Sequence, residues 1–224
     1  MRQVLPDNIQ SIQKIAQILR DDIKTPIIAQ MRTLELVLEG VFGKLNNEQE
    51  EILRQTYKSA NFLYKMTQEL LTYCKYECGS IENLVEKLDF CVLVRECIVK
   101  SSKKQVKFIS RVKYPFVLAD KDKIEGAVLN LLSCALRHDD ENICILLENS
   151  KDDLILSVYC KRKTPEYNFE NIFDGKAKYN IIGEDLNLAL CKKIIVNHGG
   201  QVFSGVQENK MIYGFSLPCF KENI

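Results

Sequence analysis

The chain has 224 residues, 46% of them hydrophobic, with 31 basic against 30 acidic side chains and a net charge of +1. This composition describes one or two globular domains with a sizeable core and excludes a disordered chain. The even balance gives no electrostatic footprint for nucleic acid or an anionic membrane, which leaves protein partners as the expectation. No apolar run reaches the roughly 18 residues that span a bilayer, and no basic stretch leads into an apolar one as in a secretory signal, so the chain reads as cytoplasmic.

From Leu5 the apolar positions Ile9, Ile12, Ala16, Leu19, Ile23, Ile27, Met31, Leu34 and Leu38 recur at steps of mostly four and three. That period predicts one helix from about Pro6 to Phe42. Pro26 sits inside it, where a proline removes a hydrogen bond and clashes with the preceding turn at a cost of about 3 kcal/mol. A site that tolerates this is expected to have a use. Turn residues between Gly43 and Asn47 end the helix, and Asn46 or Asn47 caps a second one with an acidic first turn. Leu53, Tyr57, Ala60, Leu63, Met66, Leu70 and Cys74 carry its apolar stripe to a stop near Gly79. Two single-faced helices cannot close a core alone, so residues 1–80 are expected to pair with a second copy as a homodimeric four-helix bundle.

Past Ser80 the pattern turns mixed. The expected elements are a helix from Phe90 to Lys103, strands Val106 to Val112 and Phe116 to Ala119, and a helix from Asp120 to Arg137. An antiparallel hairpin of Ile143 to Leu147 and Leu154 to Cys160 follows, turning between Asn149 and Asp153. A helix from Asp185 to Asn197, stopped by Gly199 and Gly200, leads into strands Gln201 to Val206 and Met211 to Leu217. Residues 86–224 therefore read as an α+β sandwich, with helices on one face of a mixed sheet. The nine cysteines, most of them in apolar segments, read as reduced core thiols. Cys74 and Cys78 share a helix face, but neither His138 nor His198 is spaced to join them, so no metal site is expected. The run Lys161 to Lys163 reads as a solvated strand end.

Asp21-Asp22-Ile23-Lys24-Thr25-Pro26-Ile27 resembles the His-Glu-Leu-Arg/Lys-Thr-Pro-Leu box in the dimerisation helix of two-component sensor histidine kinases. Three later segments resemble that family's ATP-binding domain, whose GHKL fold is shared with DNA gyrase and MutL. Asp120 to Ala135 is similar to its N box, Phe169 to Phe173 to its phenylalanine box, and Gly183 to Gly200 to its second glycine box and the helix behind it. The resemblance covers nearly the whole chain, from a helical hairpin over 1–80 to an ATPase-like domain over 86–224. The hairpin starts within the first residues and leaves no room for a sensor domain, which implies a stand-alone protein or a trimmed one.

The resemblance also implies which chemistry is missing. Family kinases phosphorylate an exposed histidine, with the next acid as general base; here Asp21 holds the acceptor position and Asp22 the base position. Two N-box asparagines hold magnesium-ATP in the family; here Asn130 is kept and Cys134 stands at the second place, a soft thiol for a hard cation. The Asp-x-Gly-x-Gly box that reads adenine is replaced after Cys160 by Lys161-Arg162-Lys163-Thr164-Pro165. The Gly-x-Gly-Leu-Gly-Leu box becomes Gly183-Glu184-Asp185-Leu186-Asn187-Leu188, whose carboxylates oppose a phosphate at a helix N-terminus while favouring the helix itself. The expectation is a pseudokinase without cofactor whose nucleotide site, Asn130, Cys134, Gly183, Asp185 and Asn187, is degenerate. It would act as a dimeric scaffold, binding a response regulator receiver domain or another histidine kinase through Asp21, Asp22, Lys24, Thr25, Pro26 and Ile27. The alternative is a divergent histidine kinase that still binds ATP with magnesium and phosphorylates a partner. A phosphotransfer protein would need a histidine within 1–80, and none is present.

Overall fold

The expected single first helix is three pieces: α1 over Asp7–Ile18, a π-helical turn over Leu19–Ile23, and α2 over Lys24–Leu38. The structure is a computed structural model that describes residues 7–101, 106–138, 142–161, 172–174, 184–207 and 210–221. Its chain divides into two compact units, Met1–Ile81 and Glu82–Ile224. The π-turn has a local cause. Pro26 has no amide hydrogen for the carbonyl of Asp22, and the turn instead closes with the Lys24 amide on the Leu19 carbonyl, one residue wider than an α-turn. The extra residue shifts the helix phase, and Ile23, expected in the core stripe, is 39% exposed.

The helix also stops earlier than its pattern suggests, at Gly40 rather than Gly43. Gly40 takes φ +79°, its amide donates to Val37 O at 3.1 Å and the Val41 amide donates to Leu36 O at 3.1 Å. This paired closure needs a left-handed residue, which glycine supplies without strain. Helix α3 runs Asn47–Glu77, and of the two candidate caps the structure selects Asn46. Its side chain accepts from the Gln49 amide at 2.8 Å while the Gln49 side chain accepts from the Asn46 amide at 3.0 Å. At the far end Gly79 repeats the closure seen at Gly40, with the Ser80 amide on Lys75 O.

Helix α3 buries Ala60, Thr67, Leu71 and Cys74, so its inward line differs from the expected one and Leu63 lies 52% exposed. Thr67 hid the true period because it is polar; its hydroxyl is satisfied within the helix, donating to Leu63 O at 2.8 Å. Leu19, Leu71 and Cys74 form a small core with Ile12, Ala16 and Leu70 packed against it. Around it, Ile15, Ile18, Ile52 and Phe62 stay exposed.

The second unit opens with β1 over Val85–Asp89, a strand the sequence pattern does not reveal, starting one residue ahead of the expected domain boundary at 86. It pairs antiparallel with β3, Phe116–Asp120. Five strands form the main sheet: β2 Lys107–Arg111, β4 Cys144–Ser150, β5 Asp153–Lys161, β6 Gln201–Gln207 and β7 Lys210–Pro218. Their order is β2-β4-β5-β7-β6. Only β2 and β4 run parallel, so the sheet is mixed as expected. The β4–β5 hairpin turns tightly, Ser150 facing Asp153, with Lys151 at φ +53°.

Alternate residues of the central strands, Leu154, Leu156, Val158 and Cys160 on β5 and Met211, Tyr213, Phe215 and Leu217 on β7, are buried. Among the described residues three α-helices complete this unit: α4 Phe90–Ser101, α5 Lys121–His138 and α6 Glu184–Asn197. Phe90 at the head of α4 meets Phe215 edge to face at 6.0 Å. From the other helix side, α5 inserts Ile124, Ala127, Val128, Leu131 and Ala135, all essentially unexposed. Gly214 is where the sheet is tightest, since a Cβ there would meet Leu156 O at 1.9 Å. Gly214→Ala is therefore expected to destabilise the chain by about 2 to 4 kcal/mol. Gly126→Ala in α5, which has open space around it, should stabilise it by about 0.5 to 1 kcal/mol. Urea denaturation of both variants beside the parent checks this pair.

Candidate functional site

The acceptor-like segment lies on the π-turn and the first turn of α2. Asp21 and Asp22 are exposed, as are Thr25 and Pro26, while Ile27 and Lys24 are half-buried. Lys24 leans over the ring of Tyr64 on α3, its Nζ 5.9 Å from the ring centroid. That cation–π contact ties the π-turn to the second helix. Further down the hairpin, Tyr57 donates its hydroxyl to Glu35 Oε1 at 2.8 Å and Arg32 bonds the same carboxylate at 3.0 Å. The Tyr57 hydrogen bond, with that of Arg32, holds the Glu35 carboxyl below its usual range. Neither the π-turn nor this bridge was expected, although Pro26, four residues after Asp22, was a signal for the first.

In the second unit the N-box pair is brought to one side of α5. Asn130 is half-buried and its Nδ2 donates to the carbonyl of Asn187 in α6 at 3.3 Å. Its amide thus fastens one helix to the next. Cys134, one turn on, is fully buried and touches the hydroxyl of Tyr213. That hydroxyl donates to Leu131 O at 3.3 Å and receives the Cys160 thiol at 3.9 Å. Burial, helped by the two thiols, pushes the Tyr213 phenol well above its usual value. At position 134 there is therefore a core thiol facing a phenol, with no oxygen donor to offer a hard cation.

The remaining predicted positions are only partly visible. Residues 162–171 and 175–183 lie outside the described residues, which takes in Arg162 to Pro165 where the adenine box was expected, Phe169 to Asn171 of the phenylalanine box, and Gly183. Of the phenylalanine box, Ile172 and Phe173 are buried in a short 3-10 turn. Asp185 stands in the first turn of α6 and Asn187 is half-buried. Lys161 ends β5, exposed as expected. All nine cysteines are free thiols. Among the described residues no group of three or more metal-ligating side chains occurs, and no helix is long and apolar enough to cross a membrane.

No family model matches the chain. It is 26% identical over 216 residues to the sensor protein KdpD of Clostridium acetobutylicum, covering 88% of this chain and 23% of that one. With the sensor histidine kinase WalK of Bacillus subtilis the identity is 22% over 218 residues, 90% of this chain and 36% of the other. The relatives of this chain are sensor histidine kinases. The fold agrees: full-length ShkA in complex with AMPPNP superposes with a TM-score of 0.71 at 19% identity, over 94% of this chain and 46% of ShkA. Histidine kinase ThkA in complex with response regulator protein TrrA gives 0.63 at 20% identity, over 94% of this chain and 65% of that one. The chain spans about a quarter to a third of the two sequence relatives' lengths.

Two substitutions probe this geometry. Pro26→Ala restores an amide to the α2 ladder and should raise stability by about 1 to 3 kcal/mol, with a gain in helical circular dichroism. Asn130→Ala removes the tether to Asn187 and should cost about 1 kcal/mol in denaturant titration.

Proposed function

We propose that this chain is a signalling scaffold of the histidine kinase type that has given up phosphotransfer. It dimerises through residues 1–80 and presents Asp21, Asp22, Lys24, Thr25, Pro26 and Ile27 to the receiver domain of a response regulator, or to another histidine kinase. The observation that carries this reading is position 134, where a thiol sealed in the core against Tyr213 replaces an asparagine at a magnesium position. Asn130, the other N-box residue, gives its Nδ2 to the Asn187 carbonyl, which leaves Oδ1 as the one side-chain oxygen of the pair. Asp21 supplies no imidazole, and among the described residues position 134 offers a thiol where a magnesium nucleotide would call for an oxygen. The exposed Ile15, Ile18, Phe62 and Leu63 support the dimer, because helices this apolar on their outer faces need a partner. The complex of ThkA with its response regulator supports the choice of partner.

Two measurements test the proposal. Titration with magnesium-ATP to millimolar concentration should leave the melting temperature unchanged; saturable stabilisation would instead favour the divergent kinase that acts on a partner. Receiver domains encoded in the same genome should include at least one that binds saturably to the dimeric chain. Thr25→Arg on the exposed face should weaken that binding tenfold or more, about 1.4 kcal/mol. Binding by none of them, or binding indifferent to Thr25→Arg, would overturn the receiver-docking assignment.

A further inference from the structure

Residues 82–84 are the first of the second unit, and they stay in place without burying apolar surface. Leu84 is 84% exposed and Val85 55%. What holds them is polar. The Leu84 amide donates to Asp120 Oδ2 at 2.9 Å. Lys123 Nζ reaches the Glu82 carbonyl, Asn83 Oδ1 at 2.9 Å and Asp120 Oδ2 at 3.1 Å. Asn83 Nδ2 donates to Asn197 Oδ1 at the end of α6, at 2.6 Å.

Asp120 is at the centre of these contacts. Its side chain is among the few buried polar ones, 6% of the residue being exposed. Burial works against its charge, but the amides of Leu84 and Lys123 and the Lys123 ammonium outweigh this and hold the carboxyl below its usual range. From behind, the Asp120 amide donates to His198 Nε2 at 3.2 Å. His198 Nδ1 is 2.7 Å from Ile194 O, so the ring carries its hydrogen on Nδ1 and leaves Nε2 as acceptor.

We infer that Asp120, Lys123, Asn83 and Asn197 form a polar latch that fastens the connecting segment 82–84 to the second unit and opens without unfolding it. Two considerations separate this from ordinary core packing. Apolar elements open only by exposing core surface, whereas the segment's own bonds can pass to water with little hydrophobic loss. One side of the latch comes from the β3–α5 junction and the other from the end of α6, so the fastening depends on both being in register. Opening frees three residues, each adding up to about 3.5 Å of reach.

Amide hydrogen exchange on the full chain tests the latch. In Asp120→Asn, which keeps the shape but drops the charge, the Leu84 amide should exchange at least tenfold faster while Leu156 and Phe215 in the sheet keep their protection. Asn83→Ala, which leaves the buried carboxylate untouched, should also speed Leu84. Combined with Asn197→Ala it should add nothing further, because the two asparagines act as one pair. Leu84 exchange unchanged in both single variants would overturn the inference. So would acceleration that spreads equally to Leu156 and Phe215, since the contacts would then be part of the fold rather than a latch on it.

Discussion

A buried hydroxyl must be hydrogen-bonded, and Tyr213 puts one at the centre of the second unit. Its ring is fully enclosed, on the strand that pairs with β5 on one side and β6 on the other. The hydroxyl donates to Leu131 O in α5 and takes the Cys160 thiol. That contact fixes how α5 lies on the sheet and which of its side chains meet the phenol. Cys134 is one of them. An asparagine there would bring a carboxamide with several hydrogen-bonding groups into a space that a thiol fills with few demands. The residue at position 134 is therefore set by the packing around the phenol.

The same logic runs along the helix layer. Asn130 on α5 reaches across to α6; α6 carries at its other end Asn197, which accepts from Asn83 ahead of β1, and the following His198, which meets the β3–α5 junction. The helix is thus held near both ends by polar contacts, while Leu188, Cys191 and Ile195 anchor its middle in the core. In the hairpin the balance is different. Among the described residues the apolar cluster around Leu19, Leu71 and Cys74 is small, and Ile15, Ile18 and Phe62 remain exposed outside it.

Much of this was legible in the residues. Periodicity located both long helices of the hairpin and most strands of the sheet, because every second residue from Leu154 to Cys160 and from Met211 to Leu217 is apolar and buried, even though Ser157 and Gly214 between them are covered as well. It failed where the signal was polar or local. Strand β1 buries only Leu88, too little to show a period of two. Thr67 broke the apparent stripe of α3 while sitting squarely within it. The π-turn follows from Pro26, but only once one asks which amide the carbonyl of Asp22 has lost. At the site, the substitutions at 21 and 134 were visible as letters; that Cys134 belongs to the core of Tyr213 required the third dimension. The network around Asp120 had no signal at all, since its partners are distant in sequence.

The cysteines, read so far as packing, also give the protein a set of internal clocks. Burial pushes the Cys97 thiol up to about 12 and Cys191 higher still, so neither reacts with an alkylating reagent until its surroundings open. Cys74 is buried in the hairpin, and Cys97, Cys134, Cys160 and Cys191 in the sandwich. The rate at which each is modified under native conditions reports the opening of its own unit. A single wild-type chain thus carries separate stopwatches for its two halves, with no label to introduce.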